Sequence, residues 1–293
     1  MGGTARRSAQ TAAILAWYRT NARDLPWRAD PEPWAVLVSE VMLQQTPVSR
    51  VLPVFEDWMA RWPRPAALAA ESPGAAVRAW GRLGYPRRAL RLHAAAVVCT
   101  SEFGGDVPSD VVDLRSLPGV GEYTAAAVAA FAFEQRHPVL DTNVRRVQAR
   151  WLDGSESPLT TSVTALERSR ALDLLPTNGP DAAGLSVAFM ELGALVCSAR
   201  APRCEDCPIS RWCAWRAADY PPGTGAARKP QVWHGTDRQC RGRIMAALRE
   251  SRSAVPETSL NDLWPDAAQL DRSLHSLVDD GLAVADGSGY RLP

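Results

Sequence analysis

The stretch from Leu114 to Arg150 constrains this chain more than any other. It opens on Leu117-Pro118-Gly119-Val120-Gly121-Glu122-Tyr123-Thr124, runs through an alanine-rich segment and closes on His137-Pro138-Val139-Leu140-Asp141-Thr142-Asn143-Val144-Arg145-Arg146. Gly119 and Gly121, behind a proline and ahead of a helix starting near Tyr123, place bare backbone N–H groups at a positive helix end, which makes an anion site. Amides carry no sequence preference, so the loop suits a nucleic-acid phosphate better than one particular small molecule. An ordinary tight helix–turn–helix is the competing reading of these residues taken alone.

In the same stretch Val139-Leu140 reads as extended, and Asp141 stands where a new helix begins, with Asn143, Arg145, Arg146 and Arg150 behind it. A carboxylate that accepts N–H bonds at a helix start is favoured in its ionised form, so Asp141 is expected to be charged at neutral pH. A helix cap and nothing more is the plain alternative. A second carboxyl lies in Trp34–Thr46, a helix apolar nearly all round and therefore buried. Val36, Leu37, Leu43 and Gln44 flank Glu40 one turn away on either side, so hydrocarbon should raise its pKa; an ion pair with an arginine such as Arg28 competes with that reading.

The chain of 293 residues, 46% hydrophobic, can bury a substantial core in two or three lobes. It has no apolar run long enough to span a bilayer, and its first ten residues lack the apolar segment of a secretory signal, so a cytosolic protein is expected. Net charge is +1, so affinity for DNA must come from where charge lies. Arg78, Arg82, Arg87, Arg88 and Arg91, interleaved with Trp80 and Tyr85, suit a DNA backbone plus a wedging aromatic, or equally a solvated helix face. Lys229 is the only lysine.

Cys197, Cys204, Cys207 and Cys213 are separated by six, two and five residues, which in a cytosolic chain indicates metal rather than disulfides. The spacing allows a four-thiolate zinc site or an iron–sulfur cluster. Cys99 and Cys240 read as ordinary buried thiols. Three domains follow: residues 1–220 with the cysteine loop 197–213, a linker over 221–237, and 238–293, whose three helices and terminal hairpin resemble a winged helix. That tail holds seven arginines against eight Asp and Glu, and its would-be recognition helix is acidic, which favours packing over groove reading.

Ser39-Glu40-Val41-Met42-Leu43-Gln44-Gln45-Thr46, Gly84-Tyr85, Leu117–Gly121, Leu140–Val144, Glu191-Leu192-Gly193-Ala194 and the four-cysteine loop together resemble the MutY family of adenine DNA glycosylases. That family belongs to the helix–hairpin–helix superfamily with endonuclease III. The resemblance covers about residues 10–216. It implies an all-α fold of two lobes with the site between them, a [4Fe–4S] cluster on Cys197, Cys204, Cys207 and Cys213, and double-stranded DNA as the partner of a monomeric, nucleoid-associated enzyme. The target it implies is adenine opposite 8-oxoguanine or guanine.

By motif match Glu40 is the acid, Asp141 the ion-pairing carboxylate, Tyr123 and Asn143 its supporters, and Arg28, Leu43 and Glu191 adenine contacts. Gln45, Thr46 and Tyr85 face the opposite strand. Two departures stand out: Pro86 follows Tyr85 where the family usually has a second tyrosine, and the tail is too short for the family's usual C-terminal domain, which resembles a nucleotide-pool pyrophosphohydrolase.

The chemistry follows from the carboxyls. Releasing a purine needs a proton on the leaving base and negative charge near the forming oxocarbenium ion, hence one neutral and one ionised group. The base must also leave the stack. A lyase of the endonuclease III type needs an amine where Tyr123 stands, so a monofunctional glycosylase is expected. A mismatch thymine or uracil glycosylase, an abasic-site lyase and a non-catalytic iron–sulfur DNA-binding protein are the alternatives.

Overall fold

The computed structural model describes residues 3–223 and 233–293; Lys229 and most of the expected linker lie outside the described residues. Among the described residues the chain runs α1 Gly3–Asn21, α2 Pro26–Ala29, α3 Pro33–Leu43, α4 Val48–Arg61, α5 Pro65–Ala69, α6 Pro73–Trp80, α7 Arg87–Glu102, α8 Val111–Ser116, α9 Glu122–Phe133, α10 Thr142–Gln148, α11 Ala165–Leu174, α12 Gly179–Leu195, α13 Ala214–Ala217, α14 Asp237–Glu250, α15 Glu257–Asn261 and α16 Ala267–Asp279. The strand pair β1 Val284–Ala285 and β2 Tyr290–Arg291 closes it. This is the all-α architecture with a small C-terminal hairpin that the sequence implied, and none of these helices is long and apolar enough to cross a membrane.

The chain divides into two compact units. The first holds Met1–Val36, Ser109–Arg115 and Val120–Ala226. Its centre is α12, capped by Asn178, whose side chain accepts from Asp181 N–H, and started by a proline at its first turn. Leu185, Ala188, Phe189 and Leu192 recur at three- and four-residue spacing and are buried with Ile14, Val144, Val147 and Trp151. That spacing is the apolar stripe of an amphipathic helix. Where α10 ends, Ala149–Asp153 widens into a π-helical turn that buries Arg150 and Trp151.

The second unit holds Leu37–Pro108, Ser116–Gly119 and Ala227–Pro293. Trp58 lies edge-on to Trp62 and to Trp80, with ring centroids 4.6 and 5.8 Å apart. In the same unit α6 and α7 bury the small residues Ala76, Ala89, Ala95 and Ala96, and the two helices pack on each other. The C-terminal segment folds as three helices and a short hairpin, to which Val255 adds an isolated bridge with Tyr290. It packs on α6 and α7: Gly74 N–H donates to the Pro293 carbonyl at 2.7 Å, and a Cβ on Gly74 would lie 2.2 Å from that oxygen.

The helix expected over Trp34–Thr46 ends at Leu43. Of the arginines between Arg78 and Arg91, Arg82 and Arg91 are exposed, and the other three are engaged within the fold. Arg78 donates to the carbonyls of Arg249 and Ser251 at 2.9 and 2.6 Å, and Arg87 pairs with Asp280 at 3.1 Å. Arg88 is buried.

Candidate active site

In the second unit, Glu40 sits on α3 and is 5% exposed, among buried Leu37, Val38, Val41 and Met42. That burial agrees with the apolar helix the sequence implied. Leu43, half-buried, closes the helix, and the Gln44-Gln45-Thr46 turn follows with Gln45 exposed at φ 57°. Arg88 holds this turn from beneath. Its Nη1 donates to the carbonyls of Val41, Met42 and Gln44 at 2.8, 3.0 and 2.6 Å, and its Nη2 to Thr46 Oγ1 and the Gly84 carbonyl at 2.9 and 3.1 Å. The last carbonyls of a helix have no intrahelical partner, and a guanidinium fork supplies them here. Burial lowers the Arg88 pKa to about 10, so the side chain remains a cation at neutral pH.

Gly84 also accepts from Trp80 Nε1 at 2.9 Å, which fixes the loop that turns out Tyr85 at φ 48°. The Tyr85 ring is 48% exposed. Gly119 lies at φ 84°, where a Cβ would meet Arg91 Cβ at 2.8 Å, so both conformation and space demand glycine. Gly121, in extended backbone, is the N-cap of α9 and places the positive end of that helix beside the loop.

In the first unit Asp141 caps α10. Its Oδ1 accepts from Val144 N–H and its Oδ2 from Asn143 Nδ2, each at 2.7 Å. Burial raises its pKa, and the bonds from Val144 and Asn143 and the Arg146 charge only partly oppose that rise. The cap alone implied a carboxyl held in its ionised form; burial of the side chain outweighs the cap, and the direction is upward. Asn143 Oδ1 in turn accepts from Arg146 Nη2 at 2.8 Å, and Arg146 also donates to the carbonyls of Gly193 and Cys197 at 2.6 and 2.7 Å. Tyr123, at the start of α9, packs half-buried on Ala127, Ala130 and Val139.

Glu191 is fully buried, and all its acceptor positions face arginine. Oε1 accepts from Arg23 N–H at 3.0 Å and Nε at 2.7 Å; Oε2 accepts from Arg23 Nη2 at 2.7 Å and Arg28 Nη1 at 2.9 Å. Burial pushes its pKa up, but the Arg23 bonds and the Arg28 charge outweigh it, so the carboxyl is held below its ordinary value. Arg28 therefore pairs with Glu191. Arg23 was missed in the sequence, where the only signal is a second arginine on the same turn, five residues before Arg28.

The four cysteines line one pocket with Arg150, Val196, Pro202 and Trp215. Arg150 Nη1 lies 3.5 Å from Cys197 Sγ and 2.7 Å from the Ser198 carbonyl, and its guanidinium stacks 4.5 Å from the Trp215 ring centroid. Among the described residues no three His, Cys, Asp or Glu side chains are drawn together as the ligands of a single metal ion. Four thiols around one enclosed pocket, with a fixed cation at its wall, fit a larger anionic thiolate centre in their donor chemistry.

Residues 38–169 match the model of the HhH-GPD superfamily of base excision DNA repair proteins. The chain is 50% identical over 293 residues to the adenine DNA glycosylase of Mycobacterium tuberculosis, covering 99% of this chain and 95% of that protein. It is 39% identical over 213 residues to the human adenine DNA glycosylase, covering 70% of this chain and 39% of that longer protein. Among solved structures, a thermostable thymine-DNA glycosylase superimposes with a TM-score of 0.67 at 28% identity, over 73% of this chain and 98% of that one. By its match to the superfamily model and its identity to these relatives, the chain belongs to the adenine DNA glycosylase family of base excision repair.

Proposed function

We propose that this protein removes adenine mispaired with 8-oxoguanine or guanine from double-stranded DNA by hydrolysing the N-glycosidic bond, and that it does so in the cytoplasm as a monomer without cutting the strand. The observation that carries the reading is two carboxyls in different surroundings: Glu40 buried on the apolar helix α3, Asp141 half-buried and held by two N–H donors. Glu40 delivers its proton to a ring nitrogen of the adenine, and the C1′–N9 bond breaks with its electron pair leaving on the base. Asp141, as the carboxylate, stabilises the oxocarbenium ion at C1′, and water adds there, returning its proton to the Glu40 carboxylate, to give an abasic sugar and free adenine.

Asn143 positions Asp141, and Tyr123 lies at the start of the helix after the hairpin. Arg28, Leu43 and Glu191 belong to the adenine pocket in this reading; the glutamate acts there through the arginines it orients. Gly119 and Gly121 grip a phosphate, and Gln45, Thr46 and Tyr85 meet the opposite strand. Cys197, Cys204, Cys207 and Cys213 hold a [4Fe–4S] cluster, which when bound supplies a rigid anchor for the loop, and the residues of this chain carry the hydrolysis.

Base release decides between the readings. Duplexes carrying A opposite 8-oxoguanine, A opposite G and T opposite G are each incubated with the protein under single-turnover conditions. Adenine release from the first two, abolished in Glu40→Gln while duplex binding persists, supports the proposal. Release of thymine from T opposite G, with adenine retained, moves the chain to the activity of the thymine-DNA glycosylase it resembles in fold. Borohydride during turnover is expected to trap no covalent complex, because Tyr123 offers no amine. Abundant trapping would make the enzyme a lyase.

A further inference from the structure

The acidic α16 directs attention away from nucleic acid, yet the beginning of α14 carries a cation between exposed rings. Arg238, in the first turn of α14, places its guanidinium 5.5 Å from the Tyr85 ring centroid and 5.4 Å from that of Trp233. Both rings are open to solvent, Tyr85 at 48% and Trp233 at 46% exposure. Among the described residues, Arg238 is held by rings and takes no part in an ion pair, unlike Arg87, Arg241 and Arg272 of the same unit. Large exposed aromatics with a cation between them are a platform on which nucleobases stack and to which phosphates are drawn.

The platform is built rather than incidental. The turn carrying Trp233 and Arg238 is tied by Thr236 Oγ1 to the Trp233 carbonyl at 2.8 Å and by Gly235 N–H to Gln239 Oε1 at 2.8 Å. Gln269 clamps it from α16, donating to the Gly235 carbonyl and Asp237 Oδ1 at 3.0 and 2.7 Å while accepting from Trp264 Nε1 at 2.7 Å. On the other side Trp80 and Arg88 fix the Gly84 carbonyl and so the Tyr85 loop. Two preorganised loops, distant in sequence and within one unit, thus meet at a single guanidinium.

We infer that Arg238 and Trp233 of the C-terminal segment extend the contact of Tyr85 with the DNA strand opposite the excised adenine, making this segment part of the recognition of the opposing base. The inference rests on the proposed role of Tyr85. A planar guanidinium stacked on Tyr85 leaves its N–H edges free to donate to a base edge or phosphate beside the ring, which a lysine in its place does not reproduce. Arg238 is in this sense a positioning and specificity residue, while Glu40 and Asp141 keep the chemistry.

The test uses the full chain and a duplex with 2′-fluoro-2′-deoxyadenosine, which resists cleavage, opposite 8-oxoguanine, with 2-aminopurine beside the 8-oxoguanine. Binding is read by anisotropy and insertion beside the lesion by 2-aminopurine fluorescence. Arg238→Ala and Trp233→Ala are expected to weaken binding about fivefold to tenfold and to halve the fluorescence rise, as Tyr85→Ala does. Arg238→Lys recovers little of the fluorescence. Arg243→Ala, whose guanidinium stacks instead on Trp264, stays within about twofold.

Binding and fluorescence unchanged in Arg238→Ala and Trp233→Ala, with Tyr85→Ala impaired, overturn the inference and leave Tyr85 in its role. All three unchanged overturn that role as well. Weakened binding with an intact fluorescence rise, equal on an undamaged duplex, reduces Arg238 to a general phosphate contact and also overturns the inference.

Discussion

Asp141 is where opposing influences on one proton can be separated experimentally. Burial raises its pKa while Asn143 Nδ2 and Val144 N–H pull it down, so deleting the Asn143 donor leaves burial less opposed and the proton more tightly held. If the carboxylate is the working form, Asn143→Ala must move the acid limb of the single-turnover pH profile to higher pH than in the native enzyme. An acid limb that stays in place, with the rate lowered equally at every pH, would assign Asn143 a role apart from Asp141. The burial of Glu40 was legible from its helix neighbours, because four residues on one strip decide it. The partner of Glu191 was not: Arg23 lies 168 residues away, and ion pairs across such separations leave no periodic trace. Arg88 was misread for a related reason. Its charge suggested phosphate, but three helix-end carbonyls and a threonine hydroxyl already engage it, and those acceptors belong to backbone whose position only the fold defines.

Among the elements, α10 and α12 depend on one small residue. A Cβ at Gly193 would fall 2.7 Å from Asn143 Cβ and 2.8 Å from the Asn143 carbonyl oxygen, so Gly193→Ala must drive the two helices apart at the residue that steadies Asp141. Overpacking of this kind costs about 1–3 kcal/mol. Urea unfolding should show that loss, and adenine release at a temperature where the variant is fully folded should fall further than stability alone explains. Unchanged release in a folded variant would uncouple the helix contact from Asp141. The start of α10 was readable from its Asp141 cap, whereas the Asn178 cap and the proline that open α12 were not read as a helix start. The early end of α3 at Leu43 was legible in Pro47, whose ring would clash with the Leu43 carbonyl in a continued helix, but the guanidinium of Arg88 that takes up the freed carbonyls was not.

At the scale of the whole molecule, the sequence marked the composition shift near residue 221 but not which part of the chain the tail would join. That depends on Gly74, which reads as an ordinary helix residue until Pro293 is set against it, and on Arg78, whose charge suggested phosphate until Arg249 and Ser251 are set against it. The cysteine loop carries its own prediction. The purified protein should be brown and contain iron and acid-labile sulfide, and Cys204→Ser or Cys207→Ser should lose both or fail to stay in solution; a colourless protein with stoichiometric zinc would give the four thiols to a different metal. The tryptophans, finally, make the molecule its own reporter. Trp58, Trp62 and Trp80 stand edge-on within 5.8 Å of one another's centroids along the chain of contacts in the second unit, close enough for their transitions to couple. Trp151 lies tilted on Phe189 and Trp215 edge-on to Tyr220 in the first. Exciton-coupled circular dichroism therefore tracks the second unit, so a heating experiment at two wavelengths can ask, without any label, whether the halves of this enzyme melt as one or in turn.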